Sequence, residues 1–296
     1  MPRVPTYPAI GNTQGTTALA NDDAFYVYGN GASRKITAKE LAQGLTEKAL
    51  ANASAVGVGY GKSDLYRGAN LGSGTTFATA STAAQRAAIA AGTFEGLFIG
   101  DYWTVNNVLY RIADFNYWKR SGDTDFNTNH IVLVPDSSFG SDKMNDTNIT
   151  TGAYVGSKMY TDASSVLNTA RTKIASDFGG YLATHKEYLA NAVNDNAQTA
   201  GAWFDSTVEL MNELMVYGHY VYCRKSNGTY LYTIDKAQLS LFKLNPALVN
   251  LRYSYWLRDI SSATTFASVF YDGGAYKYGA SYSFGVRPAF AVKGTA

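Results

Sequence analysis

The stretch RYSYWLRDISSATTFASVFYDGGAYKYGASYSFGVRPAFAV, residues 252–292, is the part of the sequence that decides the fold. It opens with the dense apolar and charged block YWLRD at 255–259 and closes with a second block, GVRPAF, at 285–290. Between the two blocks lie almost only Tyr, Ser, Ala, Gly, Phe and Asp. This composition is typical of a displayed binding surface, because Tyr offers a large contact area while Ser and Gly let the backbone adapt. An ordinary Tyr-rich antiparallel sheet has the same composition, so both interpretations stay open.

The composition of the whole chain favours a structural or adhesive surface protein over a metabolic enzyme. Its 296 residues are 46% hydrophobic and only 16% charged, with 28 Gly and 23 Tyr, a balance unusual for soluble enzymes. The length is sufficient for a large hydrophobic core. The net charge is +2 and the basic residues are scattered, so no basic stripe can follow a phosphate backbone. We therefore expect no nucleic acid partner.

Apolar runs and cysteine usage limit the class of protein further. No 18 apolar residues follow one another, and the proline-rich start MPRVPTYPAIGNTQG has no apolar core. We therefore expect neither a signal peptide nor membrane insertion. The single cysteine, Cys223, excludes an internal disulfide framework, and its flanking residues predict a buried thiol on a strand.

The first third of the chain predicts short elements. A strand is expected over 22–28, followed by a turn at Gly29-Asn30-Gly31. Thr37 and Glu40 have the spacing of a capping box, which predicts a helix over 38–52 with a thin apolar stripe containing Leu41 and Leu45. So narrow a stripe needs another segment or another chain to pack against. A glycine-rich joint follows over 54–79, and then a helix over 82–91 that ends at Gly92.

Two motifs in this region resemble the attachment region of phage tail fibres and head fibres. They are the strand–helix segment carrying RKIT and ELA, at 34–37 and 40–42, and the segment STAAQRAAIAAG at 81–92. The resemblance implies that residues 1–53 form a virion attachment segment and that residues 54–92 form a glycine-rich linker with a short helix.

From residue 93 to the end, strand and helix patterns alternate. Strands are predicted over 94–99, 102–105, 108–112, 130–135, 217–224 and 230–234, and helices over 164–178, 187–192 and 203–215. The pair Asn106-Asn107 predicts a two-residue turn, and 136–151 predicts a polar loop. No repeat of 20 to 50 residues is present, which excludes a solenoid or a propeller. The pattern predicts an α+β domain.

The sequence carries no strong catalytic or metal-binding motif. His130, His185 and His219 do not have metal-ligand spacing, and nucleophile elbows, phosphate loops and dinucleotide fingerprints are absent from the sequence. We therefore expect no enzyme activity, no metal and no cofactor. Two weaker alternatives stay open. A calcium site would use the loop carboxylates Asp123, Asp125, Asp136, Asp142 and Asp146. A surface-polysaccharide hydrolase would use Asp259 with Asp272, or Asp114 with Asp123.

Seven motifs after residue 93 resemble a phage-encoded family of C-type-lectin-fold proteins. They are GDYWT at 100–104, RIAD at 111–114, HIVLVPD at 130–136, GSKMY at 156–160, DSTVELM at 205–211, YWLRD at 255–259 and GVRPAF at 285–290. The family is related in architecture to formylglycine-generating enzymes and includes the variable proteins of diversity-generating retroelements. The resemblance implies a C-type-lectin-like binding domain over 93–296. The enzyme activity is not implied, because that chemistry uses paired cysteines and this chain has one.

The resemblance also implies a structural clamp that fixes the last strands, formed by Trp256, Arg258, Asp259 and Arg287. A buried Arg needs a carboxylate partner, and the candidates are Asp259, Asp101 and Asp114. Retroelement mutagenesis scatters adenine-containing codons into Tyr, Ser, Asp, Phe and related residues. The residues of this set between the two blocks are the predicted ligand-binding residues: Phe266, Ser268, Phe270, Tyr271, Asp272, Tyr276, Tyr278, Ser281, Tyr282 and Phe284. Tyr-rich loops also arise without such mutagenesis, so its occurrence here stays open.

These expectations combine into one functional hypothesis. The chain is interpreted as a phage virion fibre or spike that binds a host-surface glycan or protein through its Tyr-rich C-terminal face. Residues 1–53 would contact other virion proteins, and three chains would associate, with the helix over 38–52 as a seam. The alternative is a structural capsid or tail decoration protein with no ligand of its own. The ligand, and attachment to the head or the tail, stay open.

Overall fold

The computed structural model describes residues 24–29, 32–37, 62–194, 196–223 and 238–296. The chain divides into two compact units, Met1–Tyr60 and Gly61–Ala296. In the first unit, strands β1 (Ala24–Gly29) and β2 (Ala32–Thr37) form an antiparallel hairpin. The predicted strand over 22–28 is thus confirmed, whereas residues 30 and 31 of the predicted turn lie outside the described residues. The predicted helix over 38–52 lies outside the described residues.

The second unit is an α+β domain, as predicted. Its described strands are β3 (Asn70–Gly74), β4 (Tyr102–Val105), β5 (Val108–Phe115), β6 (His130–Pro135), β7 (Ser141–Lys143), β8 (Leu182–Ala183), β9 (His185–Asn194), β10 (Ala197–Ser206), β11 (Val208–Leu210), β12 (Tyr255–Ile260), β13 (Thr265–Val269), β14 (Ala275–Gly279), β15 (Ser283–Gly285) and β16 (Pro288–Lys293). Its described helices are α1 (Phe77–Ala80), α2 (Ala83–Ala91), α3 (Lys158–Thr161), α4 (Val166–Phe178), α5 (Glu213–Tyr217) and α6 (Ser240–Leu244).

The strands form two sheets and one long hairpin within the described residues. The larger sheet has the order β11-β16-β6-β5-β4-β3, with β8 also paired to β16. The smaller sheet has the order β14-β13-β12-β15-β7, and β9 and β10 pair only with each other. The last strand, β16, lies inside the larger sheet, whereas β14 lies at an edge of the smaller one. The C-terminal stretch therefore contributes to both sheets.

An aromatic cluster fills the core beside the larger sheet. The rings of Tyr110 on β5, Phe178 on α4 and Phe290 on β16 meet edge to face, with centroids 4.9 to 5.5 Å apart. Such edge-to-face contacts stabilise a core beyond the burial of their area. A second cluster, which includes Trp256 and Phe266, packs on the smaller sheet and underlies the surface described below.

Several local predictions are confirmed, because they depend on neighbouring residues alone. Helix α2 begins after the N-cap Thr82 and ends at Gly92, whose φ of 72° is left-handed. Helix α4 begins after Ser165, whose hydroxyl accepts a hydrogen bond from the Asn168 amide. The turn between β4 and β5 uses Asn106 and Asn107 at positive φ, as predicted. The fully buried strand over 130–135 is β6.

The predicted helices over 187–192 and 203–215 are wrong. Most of this region is the hairpin of β9 and β10, and only α5 remains helical. Along β9, His185, Glu187 and Leu189 are buried, and the residues between them are more exposed. This alternation is that of a strand. It was missed because two of the three buried residues are polar, so the apolar pattern did not alternate.

The predicted strands over 94–99 and 217–224 are also wrong. Phe94 and Gly96 have positive φ, which bends the backbone out of an extended conformation. Tyr217 is the last residue of α5, and the chain after it forms bends. Cys223 is half-buried and lies in this loop, so the prediction of a buried thiol on a strand is wrong. The predicted strand over 230–234 lies outside the described residues.

The compact unit begins earlier than the sequence suggested. Residues 62–92, which we assigned to a linker and short helix, belong to the second unit. Strand β3 pairs in parallel with β4, and the fully buried ring of Phe77 lies 5.4 Å from that of Trp103. The glycine-rich sequence concealed these contacts because glycine carries no apolar pattern. The predicted polar loop over 136–151 likewise contains the short strand β7.

Candidate ligand-binding face

The predicted clamp residues are buried: three of them lie on β12 of the smaller sheet, and Arg287 lies between β15 and β16. Trp256 is fully enclosed, and its indole N–H donates to the Asp142 carbonyl at 2.9 Å. Arg258 forms an ion pair with the buried Glu187 and donates to the Leu210 carbonyl at 3.0 Å. These contacts tie β12 to the β9–β10 hairpin and to β11, so the sheet that carries the predicted ligand-binding residues has a rigid support.

The predicted carboxylate partners of the two arginines are wrong. Arg258 pairs with Glu187, and the guanidinium of Arg287 donates to main-chain carbonyls, those of Pro135 and Leu248, at 2.9 Å each. Asp101 instead pairs with Arg67, at 2.6 Å between Nη2 and Oδ2. The partner of Arg258 was missed because residues 187–192 were predicted as a surface helix.

Two of the ten predicted ligand-binding residues are enclosed. Phe266 and Ser268 are fully buried on β13, which is flanked by β12 on one side and β14 on the other. Neither side chain is accessible to a ligand, so these two predictions are wrong. The other eight residues are half-buried or exposed: Phe270, Tyr271, Asp272, Tyr276, Tyr278, Ser281, Tyr282 and Phe284.

Six of these residues place their rings in one continuous set. We call this set the aromatic face, and it consists of Phe270, Tyr271, Tyr276, Tyr278, Tyr282 and Phe284. Neighbouring centroids lie 4.2 to 5.3 Å apart from Tyr271 through Phe270, Tyr276 and Tyr278 to Tyr282, and Phe284 lies 4.7 Å from Tyr278. Contiguous exposed apolar patches of this kind mark interaction sites in soluble proteins.

The strand geometry explains why the rings point the same way. Tyr276 and Tyr278 are two residues apart on β14, so both side chains lie on the same side of the sheet. Tyr278 lies opposite the buried Phe266 and Tyr276 opposite the small Ser268. Phe284 packs at 4.8 Å on the buried Trp256, which anchors the aromatic face to the core.

The two polar members among these eight residues, Asp272 and Ser281, have local structural roles. Asp272 Oδ1 accepts the Gly274 amide at 2.9 Å and so closes the turn between β13 and β14, in which Gly273 has a φ of 92°. The Ser281 hydroxyl donates to the Asn148 side-chain oxygen at 2.8 Å. Both residues fix the backbone on either side of the tyrosines, and each keeps polar atoms near the surface.

Tyr222 and Lys277 also belong to this surface, and the sequence analysis missed them. The Tyr222 ring lies 6.4 Å from that of Tyr276, and Lys277 Nζ lies 5.5 Å from the centroid of Tyr222. Lys277 sits inside the Tyr-rich stretch, so its position in the sequence was an available signal. Tyr222 belongs to a separate loop, and only the tertiary structure brings it to the aromatic face.

Residues 205–294 match the family model of a domain of unknown function, DUF6273. The match contains β11 to β16, and with them the clamp and the whole aromatic face. No curated protein and no solved structure shows significant similarity to the chain. Within the part of the chain that the structure describes, no helix has the length and apolar character required to span a bilayer.

A buried pair of carboxylates holds the loop that carries Tyr222. The Glu213 carboxylate accepts the amides of Val221, Tyr222 and Cys223 at 2.8 to 3.1 Å. Its own amide donates to Asp259. Burial, and next the nearby Glu213 charge, raise the pKa of Asp259 to about 7, and burial also raises the pKa of Glu213. The pair therefore retains a proton near neutral pH.

The histidines have structural contacts. The imidazole rings of His130 and His185 both stack with the Trp118 ring, and their centroids lie 6.0 and 3.8 Å from its centroid. His130 Nε2 accepts the Trp118 amide, and His185 contacts Glu187 at 3.1 Å. The proximity of these two histidines was not foreseen from their separation in the sequence. The third, His219, is exposed beside α5.

Two of the loop carboxylates considered for calcium form ion pairs. Asp136 pairs with Arg111 and Asp146 with Lys158, each at 2.6 Å. Among the described residues, no group of three or more His, Cys, Asp and Glu side chains is arranged to hold a metal ion. Both carboxylate pairs considered for glycoside hydrolysis include a buried member, Asp259 or Asp114, so neither pair presents two exposed carboxylates.

Proposed function

We propose that this chain is a phage virion fibre or spike protein that binds a host-surface glycan or protein through the aromatic face. The observation that carries the proposal is the exposure of Tyr271, Tyr276 and Tyr282, at 55%, 44% and 53%, within a continuous set of rings. Solvent-exposed aromatic side chains on a rigid support lose little conformational freedom when they contact a ligand. Tyr also combines a large apolar area with a hydroxyl that can form hydrogen bonds.

The support of the aromatic face argues for binding over simple packing. Trp256, Phe266 and Val286 are fully buried, and the half-buried Tyr278 and Phe284 pack against their cluster, whereas Tyr271, Tyr276 and Tyr282 stay exposed. Each stacking contact with a sugar ring or an apolar side chain is weak. Several copies on one particle would multiply such contacts through avidity, by a factor of about 10² to 10⁴.

The sequence resemblances support the virion assignment and the finer fold. The motifs at 34–42 and 81–92 support attachment to other virion proteins through residues 1–53. The seven motifs after residue 93 support a C-type-lectin-like arrangement of the binding domain. The proposed assembly is a homotrimer displayed on the surface of the particle, without enzyme activity and without a cofactor.

The test is removal of the exposed rings. The variant in which Tyr271, Tyr276 and Tyr282 are replaced by Ala is expected to lose binding to host cells, while its Tm stays within a few degrees of the unmodified protein. The matched control is Tyr66→Ala. Tyr66 is 39% exposed but contacts Ile99 and Gly100, away from the aromatic face. Cell binding is measured with labelled protein, and the Tm by calorimetry.

Two outcomes contradict the proposal. A large loss of stability in the triple variant would mean that the rings belong to the core. Unchanged cell binding would favour the structural decoration protein, in which the same rings meet neighbouring virion subunits. Electron microscopy of the assembled particle distinguishes these roles, because an adhesin places the aromatic face outward and a decoration protein encloses it.

A further inference from the structure

A cleft of about 640 Å³ borders the aromatic face and was not among the predicted sites. Its wall includes Asp272 and Gly273, which directly follow Tyr271 in the turn between β13 and β14. The Tyr217 hydroxyl donates to the Gly273 carbonyl at 3.2 Å and holds this turn against α5. The volume is within the range of sites that hold small molecules, about 300 to 1,000 Å³.

The cleft has an apolar floor and a charged rim. The buried side chains of Phe242, Val216 and Val249 form part of the lining. The exposed side chains in the lining include His219, Lys243, Arg252 and Asp272. An apolar floor with a few polar groups above it is the usual composition of a site that orients a ligand.

Positive charge on the rim is only partly compensated. Lys243 Nζ lies 3.9 Å from the nearest Asp64 oxygen, at the outer limit of an ion pair. Within the described residues, no carboxylate lies within ion-pair distance of the Arg252 guanidinium. One oxygen of Asp272 accepts the Gly274 amide, and the other has no hydrogen bond to any residue that the structure describes. The rim therefore favours an anionic group, and Arg is well suited to carboxylate and sulfate through paired hydrogen bonds.

We propose that this cleft is a subsite for an acidic sugar residue of a glycan whose neighbouring rings stack on the aromatic face. The inference rests on the proposed function and narrows its ligand from glycans and proteins to anionic glycans. Tyr271 and Asp272 are adjacent, so a chain of a few sugars would meet the exposed ring and the cleft together. Arg252 and Lys243 would bind the acidic group, and the second Asp272 oxygen would accept a sugar hydroxyl.

The test compares an acidic oligosaccharide with its neutral ester and with a sulfated oligosaccharide. Trigalacturonate, its neutral methyl ester and a sulfated galactose trisaccharide are titrated against the full chain by calorimetry. We expect trigalacturonate or the sulfated trisaccharide to bind at least tenfold more tightly than the ester. Arg252→Gln and Lys243→Gln are each expected to weaken acidic binding about tenfold, as for loss of one charge-assisted hydrogen bond, and to leave ester binding unchanged. The matched control, Lys293→Gln on β16, is expected to change neither.

The tighter binder of the two, trigalacturonate or the sulfated sugar, shows whether the cleft prefers a carboxylate or a sulfate. Equal binding of ester and acid, no binding of any of the three sugars, or no effect of Arg252→Gln would each overturn the inference. Cell binding measured in parallel separates this failure from failure of the proposed function. If the triple Tyr variant loses cell binding while Arg252→Gln and Lys243→Gln retain it, the proposed function stands and the cleft inference falls.

Discussion

At the scale of single residues, buried carboxylates organise the domain beneath the aromatic face. Glu213 and Glu187 are almost fully buried. Glu213 accepts hydrogen bonds from three loop amides, and Glu187 pairs with the Arg258 guanidinium. An unsatisfied buried polar group costs about 1 to 3 kcal/mol, more if it is charged. The sequence shows Glu187 but not its partner, because Arg258 lies far away along the chain.

Asp259 gives the stability of the domain a specific pH dependence. The folded state keeps its proton up to about pH 7, whereas the unfolded chain loses it near the usual pKa of about 3.9. Between these values the folded state binds more protons, so the contribution is complete at low pH and is lost as the pH rises toward 7. The neighbouring charged groups are Glu213 and Arg258.

Asp259→Asn removes this titration while keeping the shape of the side chain. Urea unfolding from pH 4 to pH 8 is expected to show that the free energy of unfolding falls more steeply with pH in the unmodified protein than in the variant. The difference in slope is at most about 1.4 kcal/mol per pH unit, the value for one proton. Parallel curves would show that Asp259 ionises in the folded state as it does in the unfolded chain.

At the scale of elements, the β9–β10 hairpin supports the sheet that carries the aromatic face. The link is the pair of Glu187 on β9 and Arg258 on β12, both enclosed. Burial raises the pKa of Glu187, but the Arg258 charge and the hydrogen bond with His185 lower it by more, so this carboxylate stays ionised. This buried ion pair thus fixes the position of β9 against β12.

Glu187→Gln leaves the Arg258 charge buried without its counter-ion. We expect a loss of about 3 to 5 kcal/mol in the free energy of unfolding, the range for one broken buried pair. Urea denaturation measures it, with the exposed Glu95→Gln as the control that is expected to change stability by less than about 0.5 kcal/mol. A loss below 1 kcal/mol would mean that water or another group compensates Arg258.

At the scale of the whole molecule, the proposal requires several copies of a weak site. The apolar stripe that contains Leu41 and Leu45 is too narrow for a helix that stands alone, which is why a seam between chains was predicted there. A trimer would place three aromatic faces on one fibre or spike. Affinity for a surface would then greatly exceed affinity for a single soluble ligand.

The double variant Leu41→Asp and Leu45→Asp tests this assembly. Light scattering is expected to give the mass of three chains for the unmodified protein and of one chain for the variant, because charges on the stripe oppose association. Binding to cells is expected to fall by a factor of about 10² to 10⁴, and affinity for a soluble sugar to stay constant. A monomeric unmodified protein, or a variant that remains trimeric, would contradict the predicted seam.

The sequence by itself determined the features that depend on adjacent residues. Thr82 and Gly92 delimit α2, Asn106 and Asn107 turn the chain, and the apolar run over 130–135 is a buried strand. It also placed most of the candidate surface in one Tyr-rich stretch. The physical reason is that caps, turns and apolar runs act within a few residues.

Only the tertiary structure decided which of those residues meet solvent. Phe266 and Ser268 have the same composition signal as Tyr276 and Tyr278, yet the sheet order buries β13 and leaves β14 at the edge. The approach of Tyr222 and the pairing of Arg258 with Glu187 likewise join distant parts of the chain. Burial depends on what packs against both sides of a strand, and that information is not contained in the strand itself.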